Sequence, residues 1–189
     1  MLQATENVLN EFEEIPSSYG TFKDRVFALL IDGLVLLPIS IIIWLDKTTW
    51  KSQLVLIIVA LIQVLYKPFC EYKYGATIGK RAMKLIVVDK SFLKAGLKEV
   101  VIRNIFNIVW GIFFSGITLL VFRTAAFASV NSNAEFTLLQ NKVFNINPYL
   151  VVYCMLIIAE IIFILSDNSR RALHDRLGGT FVVKHADLN

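Results

Sequence analysis

Four long blocks of apolar residues, separated by charged or polar stretches, run through the chain and restrict what it can fold into. The first, residues 22–45, holds only four charged residues, three of them (Lys23, Asp24, Arg25) at its start and the fourth, Asp32, inside it. As a helix rising 1.5 Å per residue, such a block crosses a hydrocarbon core of about 30 Å. Blocks at 53–70, 100–122 and 148–165 repeat the feature. A water-soluble domain would spread its apolar residues in amphipathic periods instead. Only 18% of the chain is charged and 56% is hydrophobic, against about 25% charged in ordinary soluble domains. The expected fold is an all-α membrane protein, a four-helix transmembrane bundle, and lipid is its first partner.

The intervening segments set the organisation. Residues 1–21 form a separate N-terminal segment, where Val8, Leu9, Phe12 and Ile15 recur at helical spacing among acids before Pro16 breaks the pattern. The remaining residues, 22–189, form one transmembrane domain. A connector over 46–52 makes the first two spans antiparallel neighbours. In the charged loop 71–99, Leu85-Ile-Val-Val88 reads as a strand closed by Asp89-Lys90-Ser91. In the tail 166–189, Thr180 to Val183 reads as a second strand, expected to pair with the first in a small hairpin-like sheet. The loop 123–147 is polar and weakly patterned and reads as irregular. Gly111 and Ser115, four residues apart in the third span, let a neighbouring helix approach closely. Cys70 and Cys154 read as buried thiols rather than a disulfide pair.

Counting Lys and Arg orients the bundle. The start of the first span (Lys23, Arg25), the loop 71–99 with its flanks and the C-terminal tail carry 15 of the 19, and Lys47, Lys51, Arg123 and Lys142 remain on the other side. By the positive-inside rule both termini and the loop 71–99 are cytoplasmic, and 123–147 is external. The sheet is then cytoplasmic too. The same flanking pattern accounts for the net charge of +4 without nucleic acid as a partner.

Ionisable residues inside apolar blocks are the candidates for chemistry. A carboxylate at the depth of Asp32 costs several kcal/mol unless it is paired or protonated. Arg25, two turns earlier, shares its face about 10.5 Å away along the axis, too far for a direct pair. Arg103, Asn104, Asn107 and Glu160 are the groups on other helices that could close the gap. Glu160 lies near the cytoplasmic end of the fourth span, so it and Asp32 fall in the same half of the bilayer. Two acids, arginines and asparagines at one depth suit a cation or proton relay, since crowding raises a carboxyl pKa. A neutralised polar knot that only fixes helix register fits the same residues.

Other motifs carry less. Gly75-Ala-Thr-Ile-Gly-Lys80 has one residue too few between its glycines for a phosphate loop, and Arg81 follows where Ser or Thr should stand. His174 and Asp175 are adjacent, which turns their side chains apart, and no nucleophile accompanies them. His185 reads as a solvated tail residue. No ligand spacing for a metal is present, so neither enzymatic activity nor a cofactor is expected.

Three blocks together resemble the RDD family, membrane proteins named for one arginine and two aspartates. They are Tyr19-Gly-Thr-Phe-Lys-Asp-Arg25 running to Asp32-Gly33, Gly75-Ala-Thr-Ile-Gly-Lys-Arg81 with Leu85 to Asp89, and Arg171-Ala-Leu-His-Asp-Arg-Leu-Gly-Gly-Thr180. Arg25 and Asp32 match the first arginine and aspartate, and Asp175 the second aspartate. Ile78 stands where the family usually has proline, and 123–147 is longer than the family pattern. The resemblance implies a plasma-membrane protein, transport as the family's suggested activity, and cation/proton antiport as proposed for some members. It also gives Asp175 a role, tying the sheet to the bundle through Lys80 or Arg81.

Two functions stay open at this point. In one, a small secondary transporter binds a cation or proton at Asp32, with Glu160, while Arg25 or Arg103 sets the pKa; four spans are few for a path, so a homo-oligomer is expected. In the other, a non-transporting membrane scaffold or accessory subunit binds a protein or lipid partner.

Overall fold

The computed structural model describes residues 18–184; the N-terminal periodicity at Val8 to Ile15 and His185 lie outside them. The chain enters on a two-residue strand, β1 (Ser18–Tyr19), and turns into α1 (Phe22–Leu45). Thr21 caps that helix: its hydroxyl accepts from the Asp24 N–H, and the Asp24 carboxylate accepts from the Thr21 N–H at 2.9 Å, satisfying two otherwise unpaired amide groups. A wider π-helical turn, Asp46–Trp50, continues α1 where the sequence reads as a connector. The buried Asp46 holds this corner by accepting from the Ser52 N–H at 2.9 Å. Then α2 (Gln53–Tyr74) runs back beside α1.

Among the described residues, four helices are long and apolar enough to cross a membrane: α1 with its terminal turn, α2, α5 (Ile105–Phe122) and α7 (Asn147–Ser166). Leu29, Leu30, Leu34 and many like them are exposed on the outer faces, the pattern a lipid solvent requires. Where α2 and α5 cross, a Cβ on Gly111 would sit 2.5 Å from Val64 Cγ2, so the small residue does permit the close approach. Cys70 is buried, whereas Cys154 is exposed on α7, contrary to the expectation of two buried thiols; α7 turns most of its surface outward.

The segments between the long helices are more ordered than their composition suggests. The loop 71–99 begins with an extra turn of α2, forms the short helix α3 (Ile78–Ala82) and then β2 (Leu85–Val88). The expected third span is broken at Asn104 into α4 (Leu97–Arg103) and α5. Residues 123–147 are not irregular. They form a 3-10 turn, Ala125–Ser129, and α6 (Asn133–Val143), because Phe127, Val130 and Phe136 pack with Leu56, Val121 and Phe122 into a core at that end. After α7 come α8 (Leu173–Gly178) and β3 (Phe181–Lys184).

The sheet has three strands rather than a hairpin pair, in the order β1-β3-β2, all antiparallel. The pairing of Leu85–Val88 with the tail strand is as the β-branched runs suggest, with Leu85 opposite Lys184 and Val88 opposite Phe181. Its inner residues Leu85, Val87 and Val182 pack on Ala28 of α1 and Val100 of α4. Sheet, α3, α4 and α8 thus form one cap on one end of the long helices.

Candidate functional site

The cap meets the long helices through two buried polar clusters. In the first, Asp32 on α1 is 4% exposed, and three donors surround it. Its Oδ1 accepts from the Tyr66 hydroxyl at 2.7 Å and from the Gly79 N–H at 2.8 Å, and its Oδ2 accepts from the Thr77 hydroxyl at 2.6 Å. Thr77 is the N-cap of α3, so the carboxylate fastens the start of that helix to α1. The groups anticipated for Asp32 from the sequence, Arg103, Asn104, Asn107 and Glu160, are therefore not its partners. Hydroxyl and amide donors do the work, and both oxygens are occupied.

The second cluster is a chain of ion pairs. Asp175 on α8 is fully buried; Arg25 Nη1 lies 2.7 Å from its Oδ2, and Arg103 Nη2 lies 2.8 Å from its Oδ1, close without a hydrogen-bonding angle. Arg103 Nε reaches Glu71 Oε2 at 3.3 Å, Asn104 Nδ2 donates to the same oxygen at 2.8 Å, and Lys80 pairs with Glu71 Oε1. Asp175 also accepts from the Ala172 N–H at 3.2 Å, as an acid in the first turn of α8. The tie from sheet to bundle thus runs through Arg25 and Arg103, not through Lys80 or Arg81. Arg81 is exposed near the Tyr74 ring.

A third group joins this network. His174 Nδ1 lies 2.8 Å from Glu160 Oε2, and its Nε2 lies 3.3 Å from Asp175 Oδ1. The two side chains expected to point apart touch, because the start of α8 folds the Asp175 carboxylate back toward the helix N-terminus. Burial alone would raise the Asp175 carboxyl, but His174, Arg103 and Arg25 outweigh it and hold that pKa well below the ordinary 3.8. For His174, burial pulls down while Asp175 and Glu160 pull up, and the net pKa lies above 6.5. Burial pushes the Lys80 ammonium down to about 8 against the opposing pull of Glu71.

The His174 shift has a sign that can be checked. A histidine whose pKa is raised on folding stabilises the protein fully below the unfolded value, and that contribution is lost as the pH rises through the folded value. Wild type should therefore be more heat-stable than His174→Gln near pH 5.5, with the difference in unfolding midpoint shrinking as the pH is raised to 8. Equal differences across that range would mean that folding leaves the His174 pKa unshifted.

These clusters border a cavity of about 720 Å³ between the long helices, within the range of small-molecule sites. Arg25, Lys67, Lys80, Arg103 and His174 contribute the basic part of its wall. Asp32, Glu71 and Glu160 contribute the acidic part. Trp110, Phe114, Tyr153 and Ile157 make the wall apolar farther along, with Trp110 and Tyr153 stacked at 4.9 Å. A second cavity of about 220 Å³ shares Gln63, Phe114 and Ser115 with the first and has Lys47 as its charged wall residue. Of the sequence-nominated residues, Arg25, Arg103, Asp175, Asn104 and Glu160 join one network, Asp32 sits in its own cluster, and Asn107 lines the cavity on an exposed face of α5. The residues missed were Glu71, Tyr66, Thr77 and Lys67. Thr77 was visible as a Thr before a short helix; Glu71 was hidden at the charged edge of an apolar block.

A family model described as the RDD family matches residues 19–179. No curated protein and no solved structure matches the chain.

Proposed function

The chain belongs to the RDD family of membrane proteins, and from that premise we propose that it is a proton-coupled secondary transporter whose solute path is the interhelical cavity. The observation that carries this is the pair of cavities with common walls at Gln63, Phe114 and Ser115, which together run along the long helices. Glu160 and His174 are the proton-carrying pair. They border the larger cavity, remain partly exposed at 22% and 32%, and join a carboxylate to an imidazole, the side chain type suited to proton exchange. Asp32 acts as a positioning residue, with its oxygens taken by three donors. The excess of Lys and Arg supports a plasma-membrane orientation with the sheet end and both termini in the cytoplasm. No enzymatic activity is assigned. A homo-oligomer, in the simplest case a dimer, would shield α7, which buries none of its apolar window.

A second reading has its own observation. The signature charges Arg25, Asp32 and Asp175 are all consumed by internal contacts, which suits a scaffold or accessory subunit. Flux in vesicles separates the two. With purified protein reconstituted around an internal pH dye, imposed sodium, potassium or anion gradients should drive proton movement. Flux should vanish in Glu160→Gln and persist per folded molecule in Asp32→Asn. Wild-type protein that moves no protons under any of these gradients would favour the scaffold, and sodium- or potassium-dependent flux lost specifically in Asp32→Asn would return the ion site to that residue.

A further inference from the structure

We infer that the larger cavity binds an amphipathic organic anion, its phosphate or carboxylate head held by Lys67 and Arg103 and its apolar body laid against Trp110, Phe114, Tyr153 and Ile157. This deepens the transport reading by naming the solute class of the same cavity, and it concerns binding rather than movement.

The inference rests on which charges are spent and which are spare. Every acid on the wall is engaged: Asp32 by three donors, Glu71 by Lys80, Arg103 and Asn104, and Glu160 by His174. The bases are not. Arg103 is 3% exposed, yet its Nη1 is buried without a hydrogen-bond partner, and Arg25 Nε is likewise unpartnered. Lys67 borders the cavity and has no ion pair or hydrogen bond among the described residues, since Glu71, four residues on along α2, is taken by Lys80 and Arg103.

A buried guanidinium nitrogen left without an acceptor is costly, and an ammonium within an apolar span more so. An oxyanion entering between them would satisfy both, with charge-assisted hydrogen bonds that a cation or a neutral solute cannot make. The aromatic and aliphatic wall beyond them requires that the anion carry an apolar body. Lys47 in the adjoining cavity adds a third positive group along the same path, and rings of Lys or Arg are the usual lining of anion-selective passages.

The test is equilibrium binding by calorimetry to the full chain in a neutral detergent, with octyl phosphate, octanol and inorganic phosphate as probes. Octyl phosphate should bind at least tenfold more tightly than either of the others. Lys67→Gln should weaken it about tenfold, the loss of one charge-assisted bond, with an unchanged unfolding midpoint, and Lys67→Arg should restore it. Octanol binding as tightly as octyl phosphate, or a Lys67→Gln affinity equal to wild type, would overturn the site. So would a Lys67→Gln protein that does not fold, because the ammonium would then be structural. Native mass spectrometry after reconstitution with phosphatidylglycerol tells the source: retained lipid that Lys67→Gln loses marks a bilayer lipid, and octyl phosphate binding without retained lipid marks a soluble anion; both sustain the site. Anion binding without proton flux would remove the transport reading alone, and flux without anion binding would remove this site alone.

Discussion

Asp175→Ala is expected to destabilise the protein by about 3–5 kcal/mol, the cost of breaking a buried charge pair from one side. Asp175 has no exposed surface and faces Arg25 at 2.7 Å, Arg103 at 2.8 Å and His174 at 3.3 Å. Without it, two guanidinium groups stay buried near each other and α8 loses the acid that accepts from the Ala172 N–H. The loss should appear as a lower unfolding midpoint in detergent and a lower yield of monodisperse protein. Because either variant removes the same Arg25–Asp175 pair, Arg25→Ala and Asp175→Ala should combine to much less than the sum of their separate effects. The pH dependence has the opposite sign to that of His174. A carboxyl held below its ordinary pKa stabilises the fold above pH 3.8 and loses that contribution as the pH falls through its depressed value. A midpoint within about 1 °C of wild type in Asp175→Ala would show that the cap is held to the long helices by other contacts.

The same residue marks how far the sequence could be read. The apolar blocks located all four long helices, and the first and last came within a residue of their observed ends, because a span is defined by composition over its whole length. The middle spans were cut differently. The apolar block ends at Cys70, four residues before α2 does, because Glu71 looks like the start of a loop until its partners Lys80, Arg103 and Asn104 are seen. Asn104 looks like one more polar residue in a continuous span, yet its side chain spans the break between α4 and α5 from Val100 to Glu71. Two β-branched runs were enough to pair β2 with β3, but a two-residue strand such as β1 has no periodicity to detect. The helix α6 has no local signature for a related reason. Its anchoring Phe136 packs against Phe122 and Phe127, and contacts between segments leave no local pattern.

The site shows the limit more sharply. Their place inside or beside apolar blocks marks Asp32, Glu160 and Arg103 as polar groups that need partners, since a lone charge in such a block is costly whatever the fold. It could not assign the partners. Asp32 is satisfied by Tyr66, Thr77 and a backbone amide, none of which counts as a counter-charge in a search for arginines. Asp175, an ordinary helix-end acid by spacing, acquires its importance from Arg25, 150 residues away in sequence.

Gly79→Ala is the second change with a large expected effect, and it tests the close approach of α3 to α1. A Cβ at this position would overlap the Ala28 carbonyl oxygen and lie 2.8 Å from Asp32 Cγ. The obstacle is backbone, which cannot swing aside as a flexible side chain would, so α3 has to move away from α1. That movement withdraws the Gly79 N–H and the Thr77 hydroxyl from Asp32 together, leaving a buried carboxylate with Tyr66 alone. Overpacking and the lost charge-assisted bonds together give an expected cost of about 2–5 kcal/mol. Gly116→Ala is the matched control. Nothing lies within 4 Å of a Cβ there, and alanine in a helix interior is favoured over glycine by about 0.5–1 kcal/mol, so that variant should unfold at or above the wild-type midpoint. The consequence for function follows from geometry as well. Thr77 and Lys80 lie on the cavity wall with Asp32, so displacing α3 reshapes the polar end of the cavity while the apolar wall on α5 and α7 stays in place. The folded fraction of Gly79→Ala should accordingly show weakened octyl phosphate binding, whereas Gly116→Ala should bind as wild type does. A Gly79→Ala protein with wild-type stability and wild-type binding would mean that α3 does not rest on α1 as described.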